Sequence, residues 1–122
     1  MNLNAHTGYS NSKRHFSSGR EVEYAVLARI TRNLTRANDN RADDFRTFLN
    51  ALEENRKLWK FFAMDVSSDR NCLPADLRAR IFYLAEFTFE HTRLAKHRRA
   101  DASPLIEINV ATMGGLNGAG QA

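Results

Sequence analysis

Four stretches of the chain repeat apolar residues with the period of an α-helix. The clearest runs from Asp43 to Val66, with Phe45, Phe48, Leu49, Leu52, Trp59, Phe62 and Val66 on one stripe. The stripe is interrupted at Asn55-Arg56. Leu58 and Phe61 fall beside it, so the end of this helix is apolar over more than one face. A second pattern opens at Pro74 and passes through Leu77, Ile81, Leu84, Ala85 and Thr88 to about Lys96. Pro74 suits a first helical position, where no backbone N–H is needed, and Asp76 favours the positive N-terminal end. Lys96-His97-Arg98-Arg99 suits the negative C-terminal end. Phe82, Tyr83, Phe87 and Phe89 again exceed one stripe. Between the two patterns, Ser67 to Leu73 is polar and short, which predicts a helix–helix connection and antiparallel neighbours.

The flanking patterns are weaker. Ser18-Gly19-Arg20-Glu21 reads as a capping box, in which hydroxyl and carboxylate each satisfy an N–H of the first turn. It opens a helix with Val22, Val26, Ile30 and Asn33/Leu34 as its stripe, widened by Tyr24, Leu27 and Thr31, with Arg29, Arg32 and Arg36 on a polar side. Asn38-Asp39-Asn40 ends it, because these side chains compete with the helical backbone. Ser103-Pro104 starts a fourth, short helix carrying Leu105, Ile108, Asn109, Thr112 and Leu116 along one side, and Gly114-Gly115 is expected to stop it. Residues 1–17 lack periodicity and read as a mobile tail; residues 117–122 read as a flexible end. The predicted fold is all-α: one domain over 18–116, a small antiparallel bundle of three long helices plus a short C-terminal helix.

Composition changes the picture in one respect. Eight Phe in 122 residues is more ring surface than a small bundle readily hides. The off-stripe rings Phe61, Phe82, Tyr83, Phe87 and Phe89 are therefore the candidate partner surface, while Trp59, Leu73 and Leu77 are assigned to the core. The net charge of +4 is mildly basic and does not by itself imply nucleic acid. Lys13/Arg14, the Arg29/Arg32/Arg36 face and Lys96 to Arg99 are basic clusters, but the rings follow helical stripes rather than interleaving with them, so a solvated face is the simpler reading. Cys72 is the one cysteine, which rules out an intrachain disulfide; a small buried apolar role is expected for it.

No apolar run approaches the length of a membrane span and no secretory signal precedes the first helix, so a cytoplasmic location is expected. His6, His15, His91 and His97 are scattered, and Glu86, Glu90 and His91 read as surface charge. There is no phosphate-cradling glycine loop and no nucleophile elbow. The sequence thus points to no catalytic set, no metal and no cofactor, and away from an enzyme. Two polar features inside the central pair stand out. Arg56 on the stripe needs a partner, with Asp65 or Asp76 as the expected carboxylates. Asn71 is placed to tie the turn through side-chain to backbone hydrogen bonds.

These features coincide with a family pattern. Asn55-Arg56-Lys57-Leu58-Trp59, Asp65, the run Asn71-Cys72-Leu73-Pro74-Ala75-Asp76-Leu77-Arg78-Ala79, Ile106-Glu107-Ile108-Asn109 and Gly115-Leu116 resemble the FlaF family of flagellar biosynthesis regulators. The resemblance spans about Arg20 to Leu116. Val110 stands where the family usually carries a basic residue after the late asparagine. The resemblance implies a small cytoplasmic helical protein that binds flagellin as its secretion chaperone and supports flagellin synthesis and filament assembly. It also implies a link to post-transcriptional control alongside the partner regulator FlbT. The expected mechanism is helix-in-groove recognition of an amphipathic flagellin segment by exposed Phe and Leu. The alternative is direct contact with flagellin mRNA through the basic clusters.

Overall fold

The computed structural model describes the backbone of residues 20–119 and the side chains of residues 23–115. The capping box at Ser18, the segment 1–17, Lys13/Arg14 and the Leu116 side chain lie outside the described residues. Four helices account for nearly all of the rest: α1 (Arg20–Asp39), α2 (Phe45–Val66), α3 (Ala75–Lys96) and α4 (Ser103–Ala119). No strand occurs among the described residues.

Each helix boundary has a local cause. The Asp44 carboxylate accepts from the Thr47 N–H and hydroxyl and so caps α2. Pro74 sits one residue ahead of α3 rather than inside it, with extended backbone. At the end of α3 the Arg98 N–H donates to the Ala95 carbonyl and the Arg99 N–H to the Leu94 carbonyl. This is a Schellman closure, and it needs a left-handed residue. Arg98 supplies it at φ 61° where glycine is usual. Its guanidinium lies 3.7 Å from the Phe45 ring centroid, a contact that offsets part of the backbone strain.

Gly114-Gly115 does not stop α4, which continues to Ala119. Neither glycine adopts a positive φ. A glycine ends a helix by turning left-handed; one that keeps helical angles only weakens it, by about 1 kcal/mol relative to alanine. The fourth helix is therefore longer than predicted, and it takes in residues 117–119 of the segment read as a flexible end.

Side-chain contacts fix the directions. Arg29 of α1 pairs with Glu54 of α2, Lys96 of α3 with Glu53 of α2, and Asn38 of α1 accepts from the Ala102 N–H just before α4. Every neighbouring pair is antiparallel, in the ring α1–α2–α3–α4–α1. The α3–α4 seam is the most loosely packed of the four. Apolar side chains bury in two clusters. One holds Leu34, Phe48, Leu52 and Leu105 with Ala37, Ala51, Ala95 and Ala102. The other holds Trp59, Phe62, Ala63 and Ala85, with Leu58, Ile81, Leu84, Phe89 and Ile108 packed against it.

The core line of α1 keeps Ile30 and Leu34 of the predicted stripe, together with Leu27 and Thr31 that widen it, and adds Ala37 and Asn38, while Val26 is only half-buried. The helix is rotated toward two polar residues because both find buried hydrogen bonds there.

Arg56 also differs from expectation. It pairs with Glu53, one turn back, at 2.6 Å, and not with Asp65 or Asp76. Both side chains are about one third exposed, so no buried charge has to be compensated. The Arg56 hydrogen bond, aided by the charges of Arg56 and Lys96, draws the Glu53 carboxyl down to about 2. A carboxylate depressed in the folded state stabilises above its unfolded pKa and loses that contribution as pH falls. The loss for Glu53 is expected between about pH 4.5 and pH 2. The Tm difference between wild type and Glu53→Gln should accordingly be present at pH 7 and largely lost by pH 2. A difference undiminished at pH 2 would remove the ion pair as its source.

Candidate functional site

Three groups of residues could carry function: a buried polar centre, the α2–α3 turn, and the exposed rings. The polar centre separates the two apolar clusters. Asn109 of α4 reaches across the bundle, accepting from the Trp59 indole N–H at 2.9 Å. Its amide donates to Asn55 Oδ1 at 2.8 Å and to Thr31 Oγ1 at 3.1 Å. All four residues are buried, and Asn55, Trp59 and Asn109 completely so. Thr31 in turn donates to the Leu27 carbonyl.

Lys96 reaching Glu53, and Ala85 packing on Trp59 and Phe62, set Thr88 and Thr92 of α3 at about the height of Asn55. Every helix thus places a polar side chain in one layer. Asn55 Nδ2, Thr88 Oγ1 and Thr92 Oγ1 are buried there without a hydrogen-bond partner among the described residues. Such groups cost stability, so the layer fixes which helix heights match rather than adding net stability.

The turn is held by its own side chains. Asn71 Oδ1 accepts from the Leu73 N–H, and Asn71 Nδ2 donates to the Asp65 carboxylate. The Arg78 guanidinium donates to the Leu73 carbonyl at 3.0 Å. Leu73 is half-buried rather than in the core, and Leu77 is exposed. Leu77 stands in the first turn of α3, beside the polar turn. Cys72 is exposed as well, not buried: the turn points it outward, 3.7 Å from the Arg70 carbonyl.

The candidate rings do not form one patch. Phe61 is 46% exposed, Phe82 42%, Tyr83 66% and Phe87 38%. Phe89 is half-buried and packs against the Trp59 cluster, so it leaves the candidate surface. Phe82 lies two turns from Phe89 on the same side of α3, the side toward α2. Tyr83 and Phe87 lie one turn apart on another side, which also carries His91. His91 stacks on Phe87 and meets the Asp101 carbonyl ahead of α4.

The outer surface of α2 adds Met64, 65% exposed, one turn from Phe61. The α2–α3 register puts Phe82 at the height of Met64. Phe61, Met64 and Phe82 therefore make one apolar face, bordered by the exposed Lys57 and Lys60. Tyr83 and Phe87 make a second. Met64 is the residue that sequence reasoning passed over, although it sits opposite the α2 stripe.

The basic clusters are partly neutralised. Arg29 pairs with Glu54 and Lys96 with Glu53, while Arg98 lies over the Phe45 ring and keeps its charge. A cleft of about 720 Å³ between α1 and α2 is lined by opposite charges including Arg36, Lys57, Asp44 and Glu54. Among the described residues no group of three or more His, Cys, Asp or Glu could hold a metal ion. None of the described helices is long and apolar enough to cross a membrane.

The model of the family described as flagellar protein FlaF matches residues 5–116, nearly the whole chain. No curated protein and no solved structure matches the chain. The residues that carried the resemblance mark the internal joints of the bundle: Asn55, Trp59 and Asn109 form the polar centre, and Asn71, Leu73, Pro74 and Arg78 form the turn.

Proposed function

Because the chain belongs to the FlaF family of flagellar proteins, we propose that it binds flagellin as a non-enzymatic cytoplasmic chaperone and thereby supports flagellin synthesis and filament assembly. The observation that carries this reading is the apolar face of Phe61, Met64 and Phe82, left exposed by a bundle whose helices already close into a ring. An amphipathic helix of flagellin laid along α2 would bury these side chains, and acidic residues beside its apolar stripe would meet Lys57 and Lys60. Aromatic side chains with Met are what such a docking face uses, since they bury large area and tolerate re-packing.

The test is capture of flagellin by the purified chain, compared with the triple variant Phe61→Ala, Met64→Ala and Phe82→Ala. Capture should fall by at least about tenfold, the equivalent of 1.4 kcal/mol. The thermal transition should stay close to wild type, because these side chains are largely outside the core. Undiminished capture by a folded triple variant would remove this face from the reading. No capture by the wild type would remove the chaperone role itself.

A further inference from the structure

We propose that a second copy of this chain docks on the outer row of α3, as an antiparallel helix pair about a two-fold axis. Asp76, Arg80, Tyr83, Phe87, Glu90 and Leu94 follow one another at alternating spacings of four and three. That is the spacing of a coiled-coil seam. The row lies outside the stripe of Ala85, Thr88, Thr92 and Ala95 that α3 buries in its own bundle. Arg80, Tyr83, Phe87 and Glu90 are all exposed.

The four central positions of the row, Arg80, Tyr83, Phe87 and Glu90, read as their own complement. Around the level of residue 85, Tyr83 and Phe87 lie two positions either side, and Arg80 and Glu90 five. A copy running the opposite way sets Tyr83 on Phe87 and Arg80 on Glu90, each contact occurring twice as an isologous interface requires. A parallel copy would oppose Arg80 to Arg80 and Glu90 to Glu90, so the charges select the antiparallel pairing.

The groups are available for it. Arg80 makes no ion pair among the described residues. Among the described residues Glu90 is held only by Arg93 of its own helix, in an exposed pair of the kind that contributes little. Its carboxylate retains lone pairs for a second arginine. Phe87 is already oriented by its stack on His91, 5.6 Å between centroids, so little ordering remains to be done on association. The row is separate from the face of Phe61, Met64 and Phe82, and the inference does not rest on the flagellin reading.

Sedimentation velocity of the full chain over a rising micromolar series tests it. Wild type should shift from monomer to dimer. Arg80→Glu and Glu90→Arg should each weaken association by about tenfold or more, since every reversal creates two like-charge contacts. An equimolar mixture of the two variants should recover a dimer, because in the mixed pair positions 80 and 90 again carry opposite charges at both contacts. Wild type that stays monomeric overturns the proposal, as do reversals that leave association unchanged. Variants that remain monomeric when mixed overturn the antiparallel register. A monomeric wild type whose flagellin capture drops on Arg80→Glu would assign the row to flagellin instead.

Discussion

Replacing Asn109 by leucine should destabilise the bundle by about 3 kcal/mol, even though leucine is the more apolar residue and of similar size. The substitution strips the partner from a fully buried Trp59 N–H and from Asn55 Oδ1. Each buried polar group so stranded costs about 1–3 kcal/mol, whereas the leucine gains only the transfer of a few methyl and methylene groups. Thr31 is affected less, because its hydroxyl still donates to the Leu27 carbonyl. For a domain of this size the loss corresponds to a fall in Tm of roughly 10–20 °C.

The same geometry predicts how a second change behaves. Asn55→Leu, placed on top of Asn109→Leu, removes one of the two stranded groups, together with an Nδ2 that has no partner among the described residues even in the wild type. The pair should therefore cost less than the sum of the single changes, with a coupling of about 1–2 kcal/mol. Thermal or urea unfolding of the four proteins measures this directly. Strict additivity would mean that the layer is not one network.

The same network shows where sequence reading reached its limit. Helix positions followed from apolar periodicity because α2 and α3 present wide stripes that can be buried only against other helices. The turn at Asn71 was legible because asparagine ahead of Leu-Pro has few other uses, and the observed Asn71–Leu73 bond is the local one its spacing allows. Hydropathy cannot show that Thr31, Asn38, Asn55 and Asn109 lie inside, since each is buried only because a residue from another helix, or from the approach to α4, answers it. Arg56 drew attention as the break in the α2 stripe, yet it reaches the surface and pairs locally. The buried break is its neighbour Asn55.

The rings carry a similar lesson. Counting them indicated surplus aromatic surface, but which ring stays outside depends on the angle at which α3 meets α2. Phe89 and Phe82 share one side of α3, and only Phe89 lies deep enough to reach the Trp59 cluster. Nothing in one helix's periodicity specifies that depth. The division of the remaining rings into two faces likewise needed the antiparallel register, which the contacts between Glu53 and Lys96 and around Ala85 set.

Trp59→Ala and Trp59→Phe together should separate packing from hydrogen bonding at the centre. Trp59 is fully buried, with its ring edge-on to Phe62 at 5.1 Å. Truncation to alanine removes that contact, opens a cavity against Ala63 and Ala85, and strands the Asn109 oxygen; the expected cost is about 4–5 kcal/mol. Phenylalanine keeps most of the ring and loses mainly the donor, at about 1–2 kcal/mol. A domain of about a hundred residues has roughly 5–15 kcal/mol in total, so the alanine variant should sit near its unfolding limit at 37 °C while the phenylalanine variant remains cooperative.

The consequence extends to the surface. Phe61 lies 6.2 Å from Phe62, the ring that Trp59 braces from beneath. Loosening the core at Trp59 should therefore weaken the flagellin capture proposed for this face below the melting temperature, although Trp59 itself is fully buried. Equal stabilities for the two variants would show that the ring is not the keystone of the second cluster. Unchanged capture by a destabilised Trp59→Ala chain would show that the face of Phe61 and Met64 does not depend on the packing beneath it.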